Sequence, residues 1–338
     1  MSSLLREAHA PLSRSHRLMD QYGREVDHLR LSVTSACDLR CRYCRPVRSN
    51  EPTRGSNNLA DSERVEFVSH LAHAYGLKQV RITGGEPLVH GGLVDLVALI
   101  RCSCPSLEIA MTTNGRRLAE HANTLARAGL DRVNVSVDSL EKDRYARITG
   151  GDLDDLLAGL AAAEASGLPP PKINTVVLRG ENDDEISALA QWALRAGYEI
   201  RFLEAMPIGP ASAYNQERFV SARAIRDVLS GTFRLTPCSA SSGGTASRFV
   251  ACGAGLHGII GTIAPVTEPF CGECRRLRLT ADGALYPCLL SPVRVDLRNA
   301  WPIGRYDRAV AATILEEALR RKPERGTHQS SGMVRLGG

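Results

Sequence analysis

No run of about eighteen apolar residues occurs anywhere in the chain, which excludes an ordinary transmembrane helix. The first twenty residues hold Arg6, His9, Arg14, His16 and Arg17 without an apolar core, so they read as a polar lead-in and not as an export signal. Aromatic residues make up only 5% of the chain, and no block of consecutive Lys or Arg is interleaved with them. That removes the usual footprint of a nucleic-acid partner. These absences predict a cytoplasmic protein with neither a membrane nor a nucleic-acid partner. What is present is a 338-residue chain with 43% hydrophobic residues, enough for one large α/β domain with an appendage or for two ordinary domains. Its net charge of +5 suits an anionic small substrate.

Ten cysteines without an export signal argue for metal or redox chemistry over a disulfide framework. Six fall into two triplets. Cys102, Cys104, Cys238 and Cys252 are left over and read as small packing residues. The first triplet, Cys37, Cys41 and Cys44, has CxxxCxxC spacing and directly follows the alternating, β-branched run from Leu29 to Thr34. Structural zinc wants four ligands, and no fourth Cys or obvious partner His lies nearby. Three thiolates on a four-iron cluster leave one iron open to a small molecule. Free or disulfide-bonded cysteines remain the plain alternative.

The order of the chain supports a site. Strand patterns at 29–34, 80–83, 107–111, 132–137, 172–178 and 199–204 alternate with helical patterns, including 116–128, 152–166 and 183–196. Six βα units with right-handed crossovers predict an incomplete parallel (β/α)6 barrel, with all strand C-terminal ends on one face. The distinctive residues fall at those ends: the Cys loop, Gly84-Gly85-Glu86-Pro87, Thr112 to Asn114, Asp138 and Met206. The two glycines are expected to supply positive φ to a tight turn, with Glu86 held rigid by Pro87. Read alone, that segment is a generic turn.

Beyond about residue 207 the alternation breaks up. Residues 239–247 are Ser/Gly-rich and read as a loop or hairpin tip, and a helix is predicted over 306–321. Between them stands the second triplet, Cys271, Cys274 and Cys288. It fits either a second cluster with an open iron or a zinc knuckle completed by His257. Arg275, Arg276 and Arg278 follow Cys274 at once. They are either a solvated charge run or an anion site matched to phosphate oxygens. Arg30, Arg81, Lys172 and Arg201 each lie on a predicted strand, and several inward cations together suggest a polyphosphate guest. The organisation expected is a lead-in over 1–19, a partial barrel over 20–235, and a C-terminal region over 236–338 that carries the second cluster and the substrate.

CxxxCxxC with Tyr43 before the last Cys resembles the signature of the radical S-adenosylmethionine (SAM) enzymes. With both triplets in view, the chain resembles the GTP 3′,8-cyclase family within that superfamily. The resemblance rests on the runs Leu29 to Thr34, Arg81 to Pro87, Thr112 to Gly115, Val135 to Asp138, Ile200 to Glu204 and Phe270 to Leu279, on Pro287-Cys288 and on the terminal Gly337-Gly338. It implies two [4Fe-4S] clusters, one on Cys37, Cys41 and Cys44 with SAM on its open iron, the other on Cys271, Cys274 and Cys288 facing substrate. It implies SAM contacts from Tyr43, Gly84, Gly85, Glu86, Ser136 and Met206. GTP contacts are implied for Arg30, Arg81, Thr112, Lys172, Arg276 and Arg278, and the strand position of Arg201 puts it near the triphosphate.

The reaction so implied opens molybdenum cofactor biosynthesis: SAM yields a 5′-deoxyadenosyl radical, the ribose 3′ hydrogen is removed, and the carbon attacks C8 of guanine. A cyclic pyranopterin monophosphate synthase downstream, an electron donor such as flavodoxin or ferredoxin, and a Gly-Gly tail reaching the active site come with the family, and a homodimer is compatible with it. Arg45, Gln79 and His90 depart from the family pattern, where Met, Lys and Arg are usual. The rival readings are a paralogue cyclising another nucleotide, a peptide-modifying radical SAM enzyme, and a non-catalytic module with two zinc sites.

Overall fold

The computed structural model describes residues 17–45, 58–238 and 244–327. The terminal Gly337-Gly338 and most of the lead-in lie outside the described residues. Strands β1 (His28–Ser32), β2 (Gln79–Thr83), β3 (Glu108–Thr113), β4 (Arg132–Ser136), β5 (Lys172–Val177) and β6 (Ile200–Glu204) pair in that order, all parallel. Helices α1 (Asp61–Tyr75), α2 (Leu93–Ser103), α3 (Leu118–Ala128), α4 (Lys142–Thr149), α5 (Leu153–Ala165) and α6 (Ile186–Arg195) supply the crossovers. Parallel strands need such long connections because each must return to the same end of the sheet.

Period-two alternation decides which side chain goes where. Leu29, Leu31, Val80, Ile82, Ile109, Met111, Val133, Val135, Ile173 and Phe202 are buried in the main hydrophobic core. Their neighbours Arg30, Arg81, Thr112, Asn134, Ser136, Asn174 and Arg201 line the hollow of the sheet. A strand face filled with polar residues cannot pack on a helix, so the sheet curls around it.

The C-terminal region enlarges this same sheet at both edges. After α7 (Ser212–Glu217) and α8 (Ala222–Ser230) come β7 (Arg234–Pro237), β8 (Ser247–Gly253) and β9 (Leu256–Ile263). β7, β8 and β9 form an antiparallel meander, and β9 pairs parallel with β6. β10 (Arg276–Leu279) pairs parallel with β1 and continues antiparallel into β11 (Ala284–Tyr286) and β12 (Val295–Asp296), before α9 (Arg308–Arg320). Among the described residues the sheet has twelve strands. The six strands expected from the sequence are its centre.

The sequence pattern predicts no helix at α4, which lies between the end of β4 and α5. It is short and charged, and it buries only Tyr145, Ile148 and Thr149. Its contribution is at its C-terminus, where the last carbonyls of a helix lack partners. Thr149 and Ile148 offer theirs to the backbone N–H groups of Arg40 and Arg42 at 2.9 Å each, which pins the Cys loop.

Candidate active site

Both triplets open into one cavity of roughly 290 Å³. Cys37, Cys41, Cys44, Cys271, Cys274 and Cys288 all line it and are all free. So do Tyr43, Gly84, Gly85, Glu86, Ser136, Met206, Arg30, Arg81, Thr112, Arg201, Arg276 and Arg278. Lys172 stands apart from the cavity lining: as the first residue of β5, it donates to Glu199 at 3.0 Å at the start of the barrel.

The glycines of the Gly84-Gly85-Glu86-Pro87 segment serve a different purpose from the one expected. Neither has positive φ. They are required because the segment runs against the Cys loop backbone, with Gly85 N–H donating to Thr34 O at 2.7 Å and Glu86 N–H to Ala36 O at 2.8 Å. A Cβ would come within 2.6 Å of Thr34 O at position 84 and 2.2 Å of Ala36 O at position 85. Glu86 is buried, and its carboxylate accepts from the Thr113 hydroxyl (2.6 Å), Asn114 N–H (2.7 Å) and Leu88 N–H (3.0 Å). Burial pushes its pKa up to about 7 despite these donors. Glu86 thus ties the end of β2 to the end of β3.

At the cavity wall the Tyr43 hydroxyl donates to Asp138 at 2.7 Å, and burial raises Asp138 to about 6. Asn215 donates to the carbonyls of both Tyr43 (2.9 Å) and Met206 (2.8 Å), joining the Cys loop to the end of β6. Arg45 donates to Ser35 O and also lines the cavity.

Burial raises the Cys37 thiol to about 11 and Cys44 to about 12, and also moves Cys41 up. At Cys274 burial acts in the same sense, but Arg276 and the Lys322 ammonium outweigh it and bring the thiol down to about 6. Burial raises Cys288. A thiolate is the ligating form, so Cys274 is held ready for metal.

The arginines form a row fixed by strand register, with Arg278 on β10 opposite Arg30 on β1 and Arg30 opposite Arg81 on β2. Burial, then repulsion from neighbouring arginines, lowers all three: Arg30, beside Arg81 and Arg278, well below its usual range, Arg81, beside Arg132 and Arg201, to about 9, and Arg278, beside Arg276, to about 10. Three guanidinium groups in one register row are costly without an anion between them. Arg276 stacks on Phe270 at 4.7 Å and lies 3.5 Å from the Cys274 sulfur. Arg275, read from the sequence with these two, immediately precedes β10, lies outside the cavity lining and pairs with Asp27 (2.7 Å) and Glu25 (3.0 Å).

The departures are likewise placed. Gln79 donates to Glu108 at 2.8 Å and accepts from Arg81 at 3.4 Å, while His90 pairs with Asp61 at 2.9 Å away from the cavity. His257 lies on β9 opposite Cys252 and does not reach the second triplet's cavity.

The residues present fit clusters with small-molecule guests. Thr112 Oγ1, both polar atoms of the Asn134 side chain and Asn174 Oδ1 are buried without a protein partner, and all three residues line the cavity. Buried polar atoms are rarely left so, and these await a polar ligand. Asn134 and Asn174 were missed in the sequence, though each shares a strand face with a residue already singled out, Ser136 and Lys172. Asn215, Arg24 and Lys322 carry no local motif that would have marked them.

Residues 31–193 match the model of the Radical SAM superfamily, and residues 198–328 match that of Molybdenum Cofactor Synthesis C. A GTP 3′,8-cyclase of Paenarthrobacter nicotinovorans is 43% identical over 318 residues, covering 91% of this chain and 89% of its own. One from Pelotomaculum thermopropionicum is 40% identical over 332 residues, covering 95% of this chain and 100% of its own. In fold, the chain is similar to Streptococcus suis SuiB, a structure bound to S-adenosylmethionine, with a TM-score of 0.56, 14% identity, and coverage of 87% of this chain and 69% of that one. With two cysteine triplets facing one cavity and these relatives matched over nearly their whole length, the chain belongs to the GTP 3′,8-cyclase family of the radical SAM superfamily.

Proposed function

We propose that this chain is a radical SAM enzyme that converts GTP to (8S)-3′,8-cyclo-7,8-dihydroguanosine 5′-triphosphate, the first step of molybdenum cofactor biosynthesis. The observation that carries this reading is the Arg278, Arg30, Arg81 row in one cavity with both Cys triplets. When bound, two [4Fe-4S] clusters and SAM supply one-electron chemistry that makes a 5′-deoxyadenosyl radical.

The chain's own residues bind and orient. Cys37, Cys41 and Cys44 hold the SAM cluster, with Tyr43, Gly84, Gly85, Glu86, Ser136 and Met206 around SAM. Cys271, Cys274 and Cys288 hold the second cluster. Arg30, Arg81, Arg201, Arg276 and Arg278 take the triphosphate, with Lys172 reaching it only by leaving Glu199. Thr112 presents its unpartnered hydroxyl to the nucleotide. Tyr43 is held by Asp138, and the Gly84-Gly85 backbone supports the Cys loop, so both fix the geometry in which a hydrogen is to be removed.

A cytoplasmic setting, reduction by a flavodoxin or ferredoxin, and hand-over to a cyclic pyranopterin monophosphate synthase complete the proposal. Among the described residues no helix is long and apolar enough to cross a membrane.

Anaerobic incubation of the reconstituted protein with SAM, dithionite and GTP is expected to give 5′-deoxyadenosine and a cyclised nucleotide together. Deoxyadenosine with no nucleotide product would mean the substrate is wrong. Cys288→Ala is expected to retain SAM cleavage and lose cyclisation, whereas equal loss of both contradicts separate roles for the two triplets.

A further inference from the structure

The second triplet is fastened by two buried cations that come from distant parts of the chain. Lys322, just past α9, is 1% exposed. Its ammonium donates to Arg276 O at 2.6 Å and Pro287 O at 2.9 Å, and lies 3.5 Å from the Cys274 sulfur. Those contacts join the segment carrying Cys274 to the one carrying Cys288. Arg24, on the chain before β1, donates to the Cys271 carbonyl at 2.8 Å, to Glu324 O at 3.0 Å and to Pro323 O at 2.7 Å. Buried Asp20 holds its Nε at 2.6 Å. The two cations therefore grip the segments of all three cysteines and are joined to each other through the backbone of residues 322–324.

An ammonium taken out of water needs compensating anions or dipoles. The groups facing Lys322 that can carry negative charge are the sulfurs of Cys274 and Cys288, with Arg276 and Arg24 as like charges. Backbone carbonyls fix its position, and its charge is aimed at the sulfurs.

We propose that Lys322, assisted by Arg24, is a positioning residue for the second cluster: it sets the spacing of Cys271, Cys274 and Cys288, and its charge favours the cluster's reduced form. This rests on the reading of that triplet as a cluster site. The charge-assisted contact to a ligating sulfur is the kind of outer interaction that tunes a cluster's potential.

The test uses the full chain with Cys37, Cys41 and Cys44 replaced by Ala, so that only the second site loads. Iron and sulfide per chain and the one-electron potential, followed by electron paramagnetic resonance, are compared for this parent and for its Lys322→Met and Lys322→Arg derivatives. Lys322→Met is expected either to lose more than half of the parent's iron or to keep a cluster whose reduction equilibrium falls about tenfold, a shift of about 59 mV to more negative values. Lys322→Arg is expected to restore most of either change. Full iron and an unchanged potential in Lys322→Met overturn the proposal. Should Lys322→Met not fold by circular dichroism, Arg24→Gln loosens the same clasp without touching a sulfur and is expected to lower loading; parent-level loading there overturns it as well. No iron in the parent chain overturns the cluster reading itself, and this inference falls with it.

Discussion

Around Cys37, Cys41 and Cys44 the charged neighbours include the carboxylates of Asp38, Glu86 and Asp138, with Arg45 opposing them. Around Cys274 and Cys288 they are Arg276, Arg278 and Lys322. The same ligand chemistry is thus set in two opposite fields across one cavity. A cationic guest such as a sulfonium is favoured at the first end, and a polyphosphate at the second. The difference also separates how the loops are held. The first relies on backbone contacts with the Gly84-Gly85 segment and with the end of α4, the second on buried cations and ion pairs.

The comparison breaks first at the ligands. Cys41→Ala is expected to reduce 5′-deoxyadenosine formation to background while about four iron remain per chain of the about eight in the parent. If Cys41→Ala still cleaves SAM, the division of labour is wrong.

Next comes Gly85→Ala, whose Cβ would meet Ala36 O at 2.2 Å. It is expected to cost about 1–3 kcal/mol of stability and to lower loading at the first triplet only. Equal loss at both sites, read from iron in single-site backgrounds, would show the loops are not independently held.

An effect of similar size on stability, but none on SAM cleavage, is expected from Asp27→Asn, which leaves Arg275 and Lys78 facing a neutral amide in place of a buried carboxylate. The loss of about 3 kcal/mol in chemical denaturation should fall on the β1–β10 junction and so on the second triplet. SAM cleavage by the folded variant should be unchanged.

The smallest is a pH effect on the same residue. Burial would raise Asp27, but hydrogen bonds from His28, Arg275 and Lys78 outweigh it and hold the carboxyl well below its usual range. A lowered folded pKa contributes stability that is fully present above the unfolded value of about 3.9 and is lost as pH falls through the folded one. Thermal midpoints of the apo-protein should therefore drop below about pH 4 in the parent, and less steeply in Asp27→Asn. Parallel acid limbs in the two proteins would remove Asp27 from the account.

Legibility in the sequence varied with how local the determining physics was. The six central strands and both triplets could be read because alternation and spacing are local properties. α4 was missed because its eight residues carry too weak an apolar face, and its use lies in two terminal carbonyls. Arg275 was grouped with Arg276 and Arg278 because a run of charge does not show which of its members line a cavity until the register is known. The glycines at 84 and 85 were recognised as necessary for the wrong reason, since close approach of a second backbone segment is invisible in one stretch of chain.

The amino-acid sequence by itself determined the parallel βα order, the cations placed along the strands and the two cysteine triplets, because each follows from residue type and short-range period. Only the tertiary structure decided that β9 and β10 extend the two edges of the central sheet, and that Arg278, Arg30 and Arg81 stand in one row. It alone brought Arg24 to Cys271 across 247 residues of chain and Lys322 to Cys274 across 48. Strand register and burial are relations between segments, and no local pattern encodes them.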